Sequence, residues 1–230
     1  LFFSLPLFWA GRVGEQTEKA LYKRGLSRLE IEDDAGAESD FSMVLKLNPA
    51  SDAAYFNRGI ARLRLGDHAG AMQDFSLAID IKPDNPETYY QRGLSKLGLE
   101  DYLGAMSDFN IAIKGKAKDV RFERARAKSG LQDYRGAIAD ITTAIQMNPK
   151  EMNYYYDRAE AFISLRDFVS AVRDLDYVVR ADPANFHAYN ARAEIKFQAG
   201  DIDGACIDWS KAGEMGDISA YTKIREKCTH

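Results

Sequence analysis

The 230-residue chain is poor in the residues that most often carry chemistry. It has three histidines and two cysteines, little material for a metal site, and Cys206 and Cys228 match no zinc-ligand spacing. His68 and His187 lie far apart with no serine or cysteine paired to them, and no glycine-rich phosphate loop occurs. Nothing here supports catalysis, a metal or a cofactor, so a non-enzyme is expected. Basic residues are not in excess either. A formal net charge of −4 and a pI near 5.5 argue against a nucleic-acid-binding face. No apolar run reaches the ~20 residues that a membrane-spanning helix needs. Two isolated thiols leave the redox compartment open. Prolines number only six, yet Pro49, Pro83, Pro149 and Pro183 recur at matching places.

That recurrence is part of a longer one. The stretch Leu65–Pro83 returns with few changes from Leu29, Leu97, Ser129, Leu165 and Ala199. Its central alanines, Ala37, Ala71, Ala105, Ala137, Ala171 and Ala205, are spaced 34, 34, 32, 34 and 34 residues apart. A fixed period of this length marks a solenoid, in which each unit buries its apolar face against its neighbours. Six units follow, 18–51, 52–85, 86–117, 118–151, 152–185 and 186–216, numbered below by position from 1 to 34; the third is two residues short. Each has two apolar-periodic helices joined by a tight turn. Position 8 is Gly or Ala, position 20 always Ala and position 24 bulky (Phe41, Phe75, Phe109, Ile141, Leu175, Trp209), which marks where two helices cross closely. Position 16 is always Asp (Asp33, Asp67, Asp101, Asp133, Asp167, Asp201), the expected N-cap of the second helix. The recurring Gly at position 19 reads as a helix-packing glycine. Residues 217–230 read as a capping helix, with Ile218, Tyr221, Ile224 and Cys228 forming its apolar face.

Two features lie outside the repeats. Residues 1–17 open with LFFSLPLFWA, whose composition suits the end of a secretory signal. Export to the periplasm or cell surface is the expectation, with a cytoplasmic chain whose apolar arm folds over the first repeat as the alternative. The basic cluster Lys114, Lys116, Lys118, Arg121, Arg124, Arg126 and Lys128 reads as a solvated face.

An aromatic at position 4, small residues at 8 and 20, an aromatic at 24 and Pro at 32 on a 34-residue period resemble the tetratricopeptide repeat. The flavour YYQRG followed by DYLGAMSDF is similar to bacterial members, many of them exported. The resemblance implies an all-α superhelical solenoid of six helix pairs plus a cap, whose first helices line a groove that binds proteins or peptides without chemistry. One departure stands out. Position 11, usually aromatic in the family, is Arg28, Arg62, Lys96, Lys128, Phe162 and Lys196. The carboxylate clamp of chaperone-binding members is absent, since only Asn57 fits it.

Positions 2, 5, 9 and 12 of the first helices fall on one face at helical spacing. In units one to three this row offers Tyr22, Leu26, Phe56, Ile60, Tyr90 and Leu94; in units four to six it offers Phe122, Arg126, Tyr156, Glu160, Asn190 and Glu194. Apolar anchors in the first three units and a charged end oriented by Glu160 and Glu194 form the expected partner groove. The alternative for each ring at position 5 is packing between repeats. A structural spacer or assembly subunit of a cell-envelope complex is the rival function. Finally, Arg at position 7 and Asp at position 23 recur in all six units, each eight residues from the middle of the turn. This predicts an Arg–Asp ladder, paired within each unit or with the neighbouring unit's Asp if the helices are rotated, against the alternative that both face water. Cys206 and Cys228 are expected to be structural, bonded or not.

Overall fold

The computed structural model describes the backbone of residues 5–115 and 120–228, with side chains from residue 14 onward. Among these residues there are thirteen helices and no strand. The chain divides into an N-terminal half, Leu1–Val120, and a C-terminal half, Arg121–His230. The first holds three helix pairs: α1 (Leu5–Glu30) with α2 (Asp34–Leu47), α3 (Asp52–Arg64) with α4 (His68–Ile81), and α5 (Pro86–Gly98) with α6 (Tyr102–Lys114). The second holds α7 (Arg121–Gly130) with α8 (Tyr134–Met147), α9 (Met152–Ser164) with α10 (Phe168–Ala181), α11 (Phe186–Gln198) with α12 (Ile202–Glu214), and then α13 (Ile218–Lys227). Within each half, every helix packs on the next in sequence, the arrangement of an α-α solenoid.

Each second helix starts where the sequence places it. The six position-16 aspartates accept a hydrogen bond from the backbone N–H three residues on, at 2.9–3.2 Å. The recurring glycine serves this cap and not helix packing: a Cβ on Gly36 would lie 2.1 Å from Oδ2 of Asp33, and the same clash recurs at Gly70, Gly104, Gly136 and Gly204. Where Ser170 takes the place, the cap bond lengthens to 3.2 Å. The turn before each cap needs a left-handed residue, which is Gly66 or Gly200 in two repeats and Glu32, Glu100, Gln132 or Arg166 in the rest.

In the first five repeats the crossing of the pair is a matched set of sizes. Gly25, Gly59 and Gly93 face Phe41, Phe75 and Phe109, and an added Cβ would meet those rings at 2.5–2.8 Å. Ala125 and Ala159 instead face the smaller Ile141 and Leu175, and all these plugs are buried. Beside this crossing runs the Arg–Asp ladder. Arg24, Arg58, Arg92, Arg124, Arg158 and Arg192 each donate from Nε and Nη2 to both oxygens of Asp40, Asp74, Asp108, Asp140, Asp174 and Asp208, at 2.6–2.9 Å. The carboxylates are buried, so the bidentate fork supplies what water cannot.

The ladder also explains the departure at position 11. Arg28, Arg62, Lys96, Lys128 and Lys196 each place a second cation on the same carboxylate, at 2.8–3.0 Å. Only Asp174 lacks one, because Phe162 stands there and its ring instead lies 5.9 Å from the Arg158 guanidinium. Hydrogen bonds from Arg24 hold the Asp40 carboxyl below the usual carboxylate range against its burial. Burial pushes Asp140 up, but hydrogen bonds from Arg124 and Lys128 outweigh it and leave the group lowered. Arginines also tie successive pairs together: Arg58 and Arg158 reach Ser42 and Thr142 of the preceding repeat at 3.1 Å, and Arg192 reaches Asp176 at 2.6 Å.

The cysteines are bonded. Cys206 on α12 and Cys228 at the end of α13 form a disulfide with Cα atoms 5.9 Å apart. The apolar face expected of α13 is only half right. Ala220 is buried and Ile224 and Cys228 pack on Trp209, Ala205 and Ala212, whereas Ile218 is 82% exposed. At the other end, the backbone of residues 5–17 continues α1. The expectation that the LFFSLPLFWA segment is a signal remnant or an arm over the first repeat falls on side chains outside the described residues, as do Lys116, Lys118 and Asp119.

Candidate functional site

In the N-terminal half, α1, α3 and α5 carry the expected apolar row. Tyr22 sets its ring edge-on against Phe41 at 5.6 Å, Phe56 against Phe75 at 5.8 Å, and Tyr90 is tilted on Phe109 at 6.3 Å. Position 5 therefore leans on its own repeat's plug. Tyr90 is buried by this, whereas Tyr22, Leu26, Phe56, Ile60 and Leu94 remain half-buried. The Tyr22 hydroxyl accepts a 2.9 Å hydrogen bond from Asn57 Nδ2, which links the first helices of two repeats. Tyr22, Phe56 and Asn57 line a recess of about 220 Å³ together with Asp52 and Lys82.

The C-terminal half presents a different row. Phe122 packs on Tyr154 at 4.5 Å, Tyr156 is half-buried, and Arg126 and Glu160 are exposed. Arg126 and Glu160 meet at a cavity of about 230 Å³ between α7 and α9, with Ile141 and Ala161 at its floor and Asp157 in its wall. Sequence reasoning named Arg126 and Glu160 but not the cavity, nor Ser129 and Tyr134 that also line it. Burial first, and then Glu160, raise the Asp157 carboxyl to about 6, against an opposing pull from Arg126. Glu160 reaches the surface, yet partial desolvation raises its carboxyl against the lowering hydrogen bond from Tyr156, and burial pushes the Tyr156 phenol up to about 12.

Glu194 does not belong with these as a free groove carboxylate. Lys223 and Lys227 of α13 already engage it at 2.7 and 3.4 Å, and Asn190 is hydrogen-bonded to Asp217. The cap covers the first-helix face of the sixth repeat. A sequence signal existed in the paired lysines of the last helix, but only the path of α13 shows where they land. Among the described residues no group of histidine, cysteine or acidic side chains could hold a metal ion, and no helix is long and apolar enough to cross a membrane.

The repeat geometry agrees with the sequence comparison, in which the profile of the tetratricopeptide repeat matches residues 22–86, 122–175 and 156–212, more than half of the chain. The chain belongs to the tetratricopeptide repeat family. Tetratricopeptide folds are protein- or peptide-interaction scaffolds, typically without catalysis. No curated protein matches the chain in sequence. Solved structures do match in fold. PilW, a widely conserved type IV pilus biogenesis factor, superposes with a TM-score of 0.77 at 15% identity, over 91% of this chain and 99% of PilW. The pilF protein of Pseudomonas aeruginosa superposes with 0.73 at 13% identity, over 93% and 98%. YrrB, a tetratricopeptide protein with an unusual peptide-binding site, gives 0.67 at 15% identity, over 81% and 97%. At such identities the likeness concerns the fold alone.

Proposed function

We propose that this tetratricopeptide protein is a non-catalytic scaffold that binds a protein or peptide on the face of its first helices. The observation that carries the reading is the row of half-buried apolar side chains Leu26, Phe56, Ile60 and Leu94 on α1, α3 and α5, beside the recess at Tyr22. These side chains offer dry contact area next to polar groups that fix orientation, which suits an amphipathic segment. The charged row of the C-terminal half, Arg126 and Glu160 with Tyr156 and Phe122, adds selectivity and rate more than affinity. The chain acts at the cell envelope in this reading, because a disulfide at Cys206–Cys228 suits an oxidising compartment. No observation favours the rival role of a spacer.

Ile60→Ser with Leu94→Ser tests the surface, since neither side chain has a ring partner to lose. Capture of partners by the immobilised chain should drop about tenfold or more. The control, Met43→Ser with Leu77→Ser on the exposed outer face of α2 and α4, should leave it unchanged. The opposite pattern would move binding to the outer face and end the proposal. Alkylation of the denatured protein, taken directly from its own cells, tests the compartment. Uptake of two alkyl groups without reduction would place the chain in a reducing one.

A further inference from the structure

The cavity between α7 and α9 exists because the fourth repeat is underfilled. At position 12 the first three repeats carry Leu29, Leu63 and Leu97, and at position 24 Phe41, Phe75 and Phe109. The fourth carries Ser129 and Ile141 at these places. The fifth keeps Ile163 and Leu175, and the sixth Phe197 and Trp209, so only the fourth is cut back at both. In the first repeat Leu29 packs with Phe41 and Ala61. The same layer in the fourth repeat opens into about 230 Å³. That is smaller than most small-molecule sites, which begin near ~300 Å³, and suits a single long side chain.

The lining says which side chain. Ile141 and Ala161, 1% and 2% exposed, give an apolar floor, and the wall carries two carboxylates, Asp157 and Glu160, against one guanidinium, Arg126. We infer that this cavity is a socket for one lysine or arginine side chain of a bound protein segment. Its aliphatic stem lies on Ile141 and Ala161 and its charged head between Asp157 and Glu160, in the manner of long cations that bury a stem and keep the head in polar surroundings. The surroundings disfavour the charged acids: burial and then the charge of Glu160 raise Asp157, and partial desolvation raises Glu160. An incoming cation relieves both. The charged and titratable groups that face the socket are Arg126 from α7, Tyr134 from α8, and Tyr156, Asp157 and Glu160 from α9. Only the two carboxyls titrate in the acid range, so binding weakens as pH falls through about 6.

The inference rests on the first-helix face being the binding face, but it is tested on a different half of the chain. The probes are blocked peptides, acetyl-Ala-Ala-X-Ala-Ala-amide with X as lysine, arginine, norleucine or glutamate, titrated into the full chain and followed by amide resonances. Lysine and arginine peptides should shift Ser129, Asp157 and Ala161 saturably near neutral pH, and norleucine and glutamate peptides should not. Lowering the pH to about 5 should weaken the lysine peptide roughly tenfold. Ser129→Leu restores the leucine of the first three repeats and should abolish the shifts while the melting temperature holds or rises. Asp157→Asn with Glu160→Gln should remove the preference for lysine over norleucine, and decides the matter if Ser129→Leu folds poorly. Equal binding of norleucine, a preference for glutamate, no saturable shift with any peptide, or undiminished lysine binding in both variants would overturn the socket. Such a failure leaves the Ile60 and Leu94 test standing, and loss of that proposal leaves the peptide titration readable.

Discussion

The two halves of the chain share one skeleton and fill it differently. Both use the aspartate cap, the close crossing and the Arg–Asp ladder. The first half then closes its crossings with Gly against Phe and seats leucine at position 12, which leaves a tight interior and apolar side chains on the first-helix face. The second half uses Ala against Ile, Leu or Trp, opens a cavity where Ser129 replaces leucine, and puts charges on that face. It is also closed by a disulfide-tied helix that takes up Glu194. The lesson is that backbone placement and surface chemistry are set by different positions of the repeat, so one can vary while the other is held.

The ladder gives the largest test of the shared skeleton. Asp74 is gripped by Arg58 and Arg62, whereas Asp174 has Arg158 alone. Asp74→Ala should cost about 3–5 kcal/mol, because it takes the carboxylate from Arg58 and one of those around Arg62, which keeps Glu38 at 2.8 Å. Asp174→Ala should cost less by roughly 1 kcal/mol, since it removes one ion pair and not two. Denaturant unfolding of the two variants checks the order, and an equal or reversed cost would show that the second cation at position 11 adds nothing. The lowered carboxyls of Asp40 and Asp140 give the same ladder a pH signature. Their folded forms hold the charge below the unfolded range, so their contribution is present above about pH 4 and is lost as pH falls further.

The size match predicts a middle effect. Gly59→Ala drives a methyl to within 2.7 Å of the Phe75 ring and should cost about 1–3 kcal/mol. Gly59→Ala with Phe75→Leu copies the Ala159–Leu175 pair of the fifth repeat and should recover part of that loss. Thermal melts of the single and double variants check this, and a double variant worse than both singles would refute the interchange of the two fillings.

The smallest effect separates the halves by function. Asp157 has a raised carboxyl, so its folded form prefers the proton and its charge opposes folding above about pH 6. Asp157→Asn should stabilise the chain by about 1–2 kcal/mol near neutral pH, after allowance for partial solvation. The gain should shrink as pH falls below about 6 and vanish near about pH 3, where the unfolded carboxyl too is protonated. Melting temperatures across that range decide it. A gain that persists at low pH would assign the effect to packing.

Much of this architecture was legible before any coordinates. The period, the caps at Asp33 through Asp201, the small-to-large crossing and the pairing of Arg58 with Asp74 all repeat every 34 residues or so. A contact made inside each unit leaves its mark on every unit, and repetition separates that mark from chance. Other features occur once, or depend on what a neighbouring repeat supplies. The glycine at position 19 repeats, but its purpose became clear only from the 2.1 Å approach of the cap oxygen. Ser129 is an ordinary serine until Ile141 and Ala161 are seen beside the space it leaves. Cys206 and Cys228, 22 residues apart, are joined because α13 turns back along α12. Glu194 is spoken for because the same turn brings Lys223 to it. Periodicity in the sequence thus determined the helices and how each pair holds together. Which surfaces stay open was decided by the tertiary structure, because burial depends on the neighbour and not on the residue that is buried.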